Sequence, residues 1–280
     1  MNPFDVLLIN PILNLLLAIY KVLSSAGLPG ALGFSIITLT TAIRLVLWPL
    51  TSSQLKSTQK MAALKPHLDR IKAEHGHDKL KHQEEVNKLY KEHGVNPLAG
   101  CLPLLLQLPV FFALYNVLRR IVDFQNANFI NSINARLYSS QLHLDKIPDT
   151  SFLGLNIASK PNQWHEIGLV ILLVPILTGV FQLIQSLMIT PQPTAVEPVA
   201  KKNQSEKKKE EKKEDLQDSM AQVQGQMVFL MPAMIGFFAY GFPIGLSLYW
   251  NTFTIIGIIQ QYLISGPGSL NKYLPKGLRK

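Results

Sequence analysis

An arginine, Arg44, lies inside the apolar run 31–50, and no Asp or Glu occurs within any of the chain's apolar runs to pair with it. A charge at membrane depth costs roughly 2.5–3.5 kcal/mol on insertion scales, so a residue of this type in this setting points to a use. Thr40 and Thr41, four and three residues earlier, share its helical face. Other apolar runs contribute amides and hydroxyls: Gln107 and Asn116, Gln182 and Gln185, and Asn251, Thr252, Thr254, Gln260 and Gln261. Singly, each reads as an interhelical hydrogen bond worth well under ~2 kcal/mol. Together with an unpaired arginine they favour a wet polar cavity. A lone cation there suits an anionic visitor such as an acidic peptide segment, whereas a proton or cation relay calls for an intramembrane Asp, Glu or His. The plainer alternative is snorkelling of the long Arg44 side chain to the nearby interface.

Five apolar runs must position these groups: about 31–50, 98–118, 167–189, 227–240 and 244–264, the last two joined by Gly241-Phe242-Pro243. Four of them have near the ~20 residues that a spanning helix needs. The fourth is short: either it extends through Val223–Gln226, or its length suggests local thinning of the bilayer. Residues 10–25 carry Ile12, Leu15, Leu16, Ile19, Val22 and Leu23 on one helical face, with Asn10, Asn14, Lys21 and Ser24 off it. That pattern predicts an N-terminal interfacial amphipathic helix within residues 1–30. Between the first two runs, Met61, Leu64, Leu68 and Ile71 form a heptad-like seam, Gly76 offers a turn, and Leu80, Val86, Leu89 and Tyr90 supply a return face. Residues 51–97 are therefore expected to be a helical hairpin, kinked at Pro66. Residues 119–166 form a loop, 190–226 a Pro-rich and then Lys/Glu-rich linker, and 265–280 a basic tail.

Of the 27 Lys and Arg residues, 20 fall in 51–97, 190–226 and the tail, and six fall in the other connections and the N-terminal segment. With five spans, this bias places the N-terminus outside and the C-terminus in the cytoplasm. Arg44 then lies about six residues, roughly 9 Å, from the cytoplasmic end of its span.

Composition excludes other classes. A chain 48% hydrophobic and 16% charged is too apolar for an ordinary soluble domain. Its basic residues separate apolar runs instead of clustering on one face, so nucleic acid is not a primary partner. One cysteine, Cys101, excludes an internal disulfide, and the residues before it match a lipoprotein box only by coincidence, in mid-chain. His75, His77 and His82 lack a supporting ligand set, so no metal site is expected. No phosphate loop and no nucleophilic triad occur. The chain is read as a non-enzyme with no cofactor.

Three stretches resemble the YidC family of membrane protein insertases, which has relatives in mitochondria and chloroplasts. They are GlyPheSerIleIleThr with IleArgLeuValLeuTrpProLeuThr in 33–51, AsnProLeuAlaGlyCysLeuProLeuLeuLeuGlnLeuProValPhePheAlaLeuTyr in 96–115, and PheProIleGlyLeuSerLeuTyrTrpAsnThrPheThrIleIleGlyIleIleGlnGln in 242–261. The resemblance implies an all-α polytopic membrane protein of the bacterial plasma (inner) membrane, with five transmembrane helices around a cytoplasm-open hydrophilic groove. It implies that Arg44 lines the groove with Thr40, Gln185 and Trp250, Gln182 being the alternative at the Gln185 place. Thr41, Gln107 and Asn251 join this candidate set from the residue pattern. The large outer domain of the long Gram-negative form and the lipobox of many Gram-positive members are not seen. The implied activity is nucleotide-independent insertion of newly made membrane proteins, single- or double-span clients with acidic outer tails, into the lipid bilayer. The Sec translocon, the signal recognition pathway and the ribosome are candidate partners. Rival readings are an anion or solute transporter using Arg44, or a structural membrane subunit. The absence of internal repeats, the odd span count and the missing coupling carboxylate weigh against transport.

Overall fold

The computed structural model describes residues 3–95, 102–122, 129–189 and 216–273. Residues 190–215 of the expected linker 190–226, Cys101 and the end of the tail lie outside these residues, and the rest of that linker, 216–226, is helical. The helices are α1 (Asn10–Ser25, continuing a π-helical turn Asp5–Ile9), α2 (Ala31–Val46), α3 (Trp48–Ala63), α4 (Lys65–His75), α5 (Lys79–Glu92), α6 (Leu102–Val122), α7 (Phe129–Asn134), α8 (Trp164–Ile167), α9 (Leu173–Ile189), α10 (Leu216–Gly241) and α11 (Ile244–Ser265), with Pro109 inside α6 and Pro232 inside α10. The described chain is helical apart from some short turns and a two-stranded antiparallel hairpin, β1 (Ser151–Phe152) with β2 (Leu155–Asn156).

The helix anticipated over 31–50 is broken. It ends at Val46, and α3 leaves at 63° to it. Pro49 sits at the second position of α3, where it has no N–H to give and its ring crowds the carbonyl four residues back. Arg44 thereby falls in the last turn of α2. The fourth apolar run, in contrast, belongs to a 26-residue helix, α10. The helix thus extends through 223–226, while its apolar part, Val228–Gly241, stays short.

α1 is turned differently from a simple apolar-in helix. Leu13, Leu16 and Leu17 are fully buried, but so are Asn10 and Asn14 nearly, while Leu15 and Val22 point outward. The polar side is roofed by residues 136–141. Asn14 Nδ2 donates to the carbonyls of Asn10 (2.8 Å) and Arg136 (3.0 Å), and its Oδ1 accepts from the Tyr138 N–H (2.7 Å). Lys21 donates to the Gln141 carbonyl, and Arg136 pairs with Asp5 at 3.3 Å.

α1, α2, α6 and α11 share one apolar core, in which Leu13, Leu16, Ile36, Leu39, Leu114, Val117, Leu246 and Tyr249 are buried together with Ile171 from the turn before α9. At the end of this bundle opposite Arg44, residues 150–159 close the helix ends. Ile157 and Ser159 carbonyls accept from the N–H groups of Gly245 and Ile244, capping α11, and Phe152 fills a notch left by Gly30 and Gly33 of α2. The hairpin turn puts Leu153 at φ 50° and Gly154 at φ 80°, the left-handed pair that a two-residue hairpin requires. Two-residue strands leave too short an alternation to be read from sequence.

α10 packs on α9 through glycines. A Cβ on Gly236 would lie 3.3 Å from the Pro175 carbonyl and 3.4 Å from Gly179 Cα, so the backbones approach closely as small-residue seams allow. Its other side turns Phe229, Leu230 and Phe237 outward. Among the described residues, two helices are long and apolar enough to cross a membrane, Asp5–Ser25 and Leu169–Ile189, and the bent pair 31–46 with 48–61 makes a third. α11 has 22 residues, but Asn251, Thr252, Thr254, Gln260 and Gln261 dilute its apolar character.

The hairpin appears as α4 and α5, with the break at Leu64 and Pro66 in the first turn of α4. Leu64 and Val86 are buried between its arms, Asp78 caps α5 by accepting from the Lys81 N–H, and Leu80 is exposed instead of packed.

Candidate functional site

Arg44 is 6% exposed. Its Nε and Nη2 both donate to the Phe253 carbonyl, at 3.3 and 3.2 Å, and its Nη1 donates to Gln260 Oε1 at 3.2 Å. The guanidinium carbon stands 3.7 Å from the centre of the Phe253 ring. Among the described residues no carboxylate bonds it. Cation–π contact at a desolvated site contributes about 2 kcal/mol, and hydrogen bonds to a charged group about 1.5–3 kcal/mol. The C-terminal end of α2, with its partial negative charge, adds roughly 0.3–1 kcal/mol. Together these terms outweigh the insertion cost, so the arginine is held without being neutralised. Among the described residues, three of its five N–H donors are engaged.

The sequence pattern missed the residue that makes this possible. Phe253 and Gly257 are one helical turn apart, so the side chain at 257 would lie over the 253 carbonyl. A Cβ at Gly257 would collide with both Arg44 Nη2 and Gln185 Nε2. Glycine therefore uncovers a backbone acceptor and brings the Gln185 amide alongside the guanidinium. A glycine inside a 22-residue helix costs about 1 kcal/mol against alanine, and that cost was the available signal.

Gln260 is fully buried and points both ways. Its Oε1 accepts from Arg44, and its Nε2 donates to the Trp48 carbonyl (3.3 Å), to Thr51 Oγ1 and, at 3.5 Å, to Ser52 Oγ. Those three acceptors lie at the start of α3, just past the bend.

The remaining candidates divide. Trp250 Nε1 donates to Gln182 Oε1 at 3.1 Å, while its ring meets Phe111 edge-on at 5.5 Å. Both glutamines of α9 thus face α11, Gln182 at Trp250 and Gln185 at Gly257 beside Arg44. Thr40 is 1% exposed and donates to the Ile36 carbonyl of its own helix, and Thr41 does the same to Ile37. Neither hydroxyl makes a bond to Arg44. Asn251 Oδ1, Thr254 Oγ1 and Ser247 Oγ are buried on one side of α11 without a hydrogen-bond partner among the described residues. Asn116 and Thr252 donate to carbonyls of their own helices. Gln107 belongs to α6, but its side chain lies outside what is described. Below the site, Gln261 Nε2 donates to the Met188 carbonyl, and the chain after α11 folds back so that Gly268 abuts that same carbonyl. Among the described residues no three His, Cys, Asp or Glu side chains gather to hold a metal ion.

A family profile described as 60Kd inner membrane protein matches residues 22–269, which include the whole of this arrangement. A Fusobacterium nucleatum protein named membrane protein insertase YidC is 32% identical over 241 residues, covering 86% of this chain and 89% of that protein. Proteins with the same name in Nitratidesulfovibrio vulgaris (32% over 233 residues) and Rickettsia africae (34% over 241 residues) match 83% and 85% of this chain. The chain spans only 34% and 36% of the length of those two.

Proposed function

The chain belongs to the 60Kd inner membrane protein family, and from that premise we propose that it is a membrane protein insertase of the bacterial inner membrane, working without nucleotide hydrolysis. The observation that carries the reading is Arg44, buried, charged and bonded by a carbonyl, an amide and an aromatic ring but by no carboxylate among the described residues. In this reading α2 with the start of α3, α6, α9, α10 and α11 are the five spans. The excess of Lys and Arg in 51–97, 190–226 and the tail sets the N-terminus outside and the C-terminus in the cytoplasm. α1 lies in the outer interface, its outward Leu15 and Val22 in lipid and its asparagines under the 136–141 strap.

A newly made client docks on the α4–α5 hairpin, and its short polar outer segment enters from the cytoplasmic side toward Arg44, Gln185 and Trp250. The guanidinium donors left over among the described residues and the Gln185 amide lower the electrostatic cost of an acidic segment at that depth. The client's apolar helix then leaves into lipid past the outward faces of α9 and α10. Transfer of its apolar area from water drives the step, at about 25 cal/mol per Å². The closed bundle end at residues 150–159 keeps the polar site one-sided. Insertion into liposomes tests the reading: purified protein should place a single-span client so that its outer tail is protected from added protease. Equal protection in protein-free liposomes sinks it.

A further inference from the structure

Gln260 occupies the place where an acid would give Arg44 a conventional partner. It is 0% exposed and 3.2 Å from Arg44 Nη1. A glutamate there would complete a buried ion pair and cancel the charge that the site otherwise keeps. The amide does something a carboxylate cannot. It accepts from Arg44 through oxygen and donates through nitrogen to the Trp48 carbonyl and to the Thr51 and Ser52 hydroxyls. Both ends are thus tied while no countercharge is introduced. Because Trp48, Thr51 and Ser52 begin the arm leading to the hairpin, the same side chain fixes Arg44 relative to the α2–α3 bend.

We propose that Gln260 is a positioning residue whose neutral amide holds Arg44 without neutralising it, and so preserves the site's preference for clients with acidic outer segments. The inference rests on the insertase reading, and its test separates the two. Two single-span probes are used, identical except for three aspartates or three asparagines in the outer tail. Their insertion into liposomes holding the full-length protein is compared by protease protection. Wild-type protein should favour the aspartate probe. In Gln260→Glu the aspartate-to-asparagine ratio should fall roughly tenfold, the scale of one charge-assisted hydrogen bond. In Gln260→Met the ratio should stay near the wild-type value although total insertion falls, since Arg44 keeps its charge. If Gln260→Glu does not fold, Gln185→Glu puts a carboxylate on the other flank of the guanidinium and should produce the same loss of preference.

A merely structural role for Gln260 predicts that Met and Glu lower both probes alike with no change in ratio, and that result overturns the proposal. A wild-type ratio of one also overturns it while leaving insertion intact. Wild-type protein that inserts neither probe overturns the insertase reading together with the inference built on it.

Discussion

Gly257→Ala is the smallest change that separates helix stability from site geometry. Alanine in place of a helix-interior glycine ordinarily adds about 1 kcal/mol of stability. Here the added methyl would collide with Arg44 Nη2 and Gln185 Nε2. Both are the far ends of flexible side chains, so α11 persists and the guanidinium gives way. Arg44 then loses at least one of its two bonds to the Phe253 carbonyl, each on the order of 1.5–3 kcal/mol. The net is a destabilisation of roughly 0.5–2 kcal/mol, with a much larger effect on the site than on the fold. A tenfold change in rate corresponds to about 1.4 kcal/mol, so insertion of an acidic-tailed client should drop by roughly that factor. Thermal melting in detergent and protease protection in liposomes measure the two effects on one preparation. A variant that melts higher than wild type and inserts the client normally would refute the role given to the uncovered carbonyl.

Other substitutions probe separate links. Arg44→Lys keeps the charge but has no planar fork to share the Phe253 carbonyl and reach Gln260; insertion should fall several-fold in liposomes and not be restored by raising client concentration. Asn14→Ala removes three bonds, two of which tie α1 to the 136–141 strap. Because the strap's carbonyl and N–H are then left without the amide that satisfied them, melting should report a destabilisation of about 2–4 kcal/mol. Leu153→Gly relieves a left-handed backbone at an exposed turn and should gain about 1 kcal/mol in the same assay. Asp149 accepts from the Ser151 N–H at 2.9 Å, and the Ser151 N–H and hydroxyl hold its carboxyl below the usual range. A depressed folded pKa stabilises above the unfolded value near 4 and is lost as pH falls through the folded one. Asp149→Asn should therefore lower the melting temperature slightly at pH 7 and leave it unchanged near pH 2.

Much of the arrangement was legible in advance because each feature had a side-chain signature. The apolar runs named most of the long helices, Gly76 marked a turn, and the seam through Met61, Leu64, Leu68 and Ile71 with its return face at Val86 pointed to the hairpin, whereas the break before Pro49 was not foreseen. Arg44 announced the site through the lack of any acid near it. What stayed hidden is what side chains do not advertise. The partner of Arg44 is largely a backbone carbonyl, exposed only because residue 257 lacks a Cβ. The bonding of Gln260 to both Arg44 and the Trp48 carbonyl depends on the 63° bend, which places α3 beside α11. The inward turn of Asn10 and Asn14 depends on the strap, which comes more than a hundred residues later in the chain. The hairpin at 151–156 was hidden by its shortness.

The central claim is that the arginine site meets the client's outer tail during insertion. Photo-crosslinking from a reactive residue at position 185, with position 237 on the outward face of α10 as control, tests this most directly. Early capture of the aspartate-bearing tail from 185 and none from 237 is expected, with the apolar segment captured from 237 later. Capture of the tail from 237 and never from 185 would contradict it.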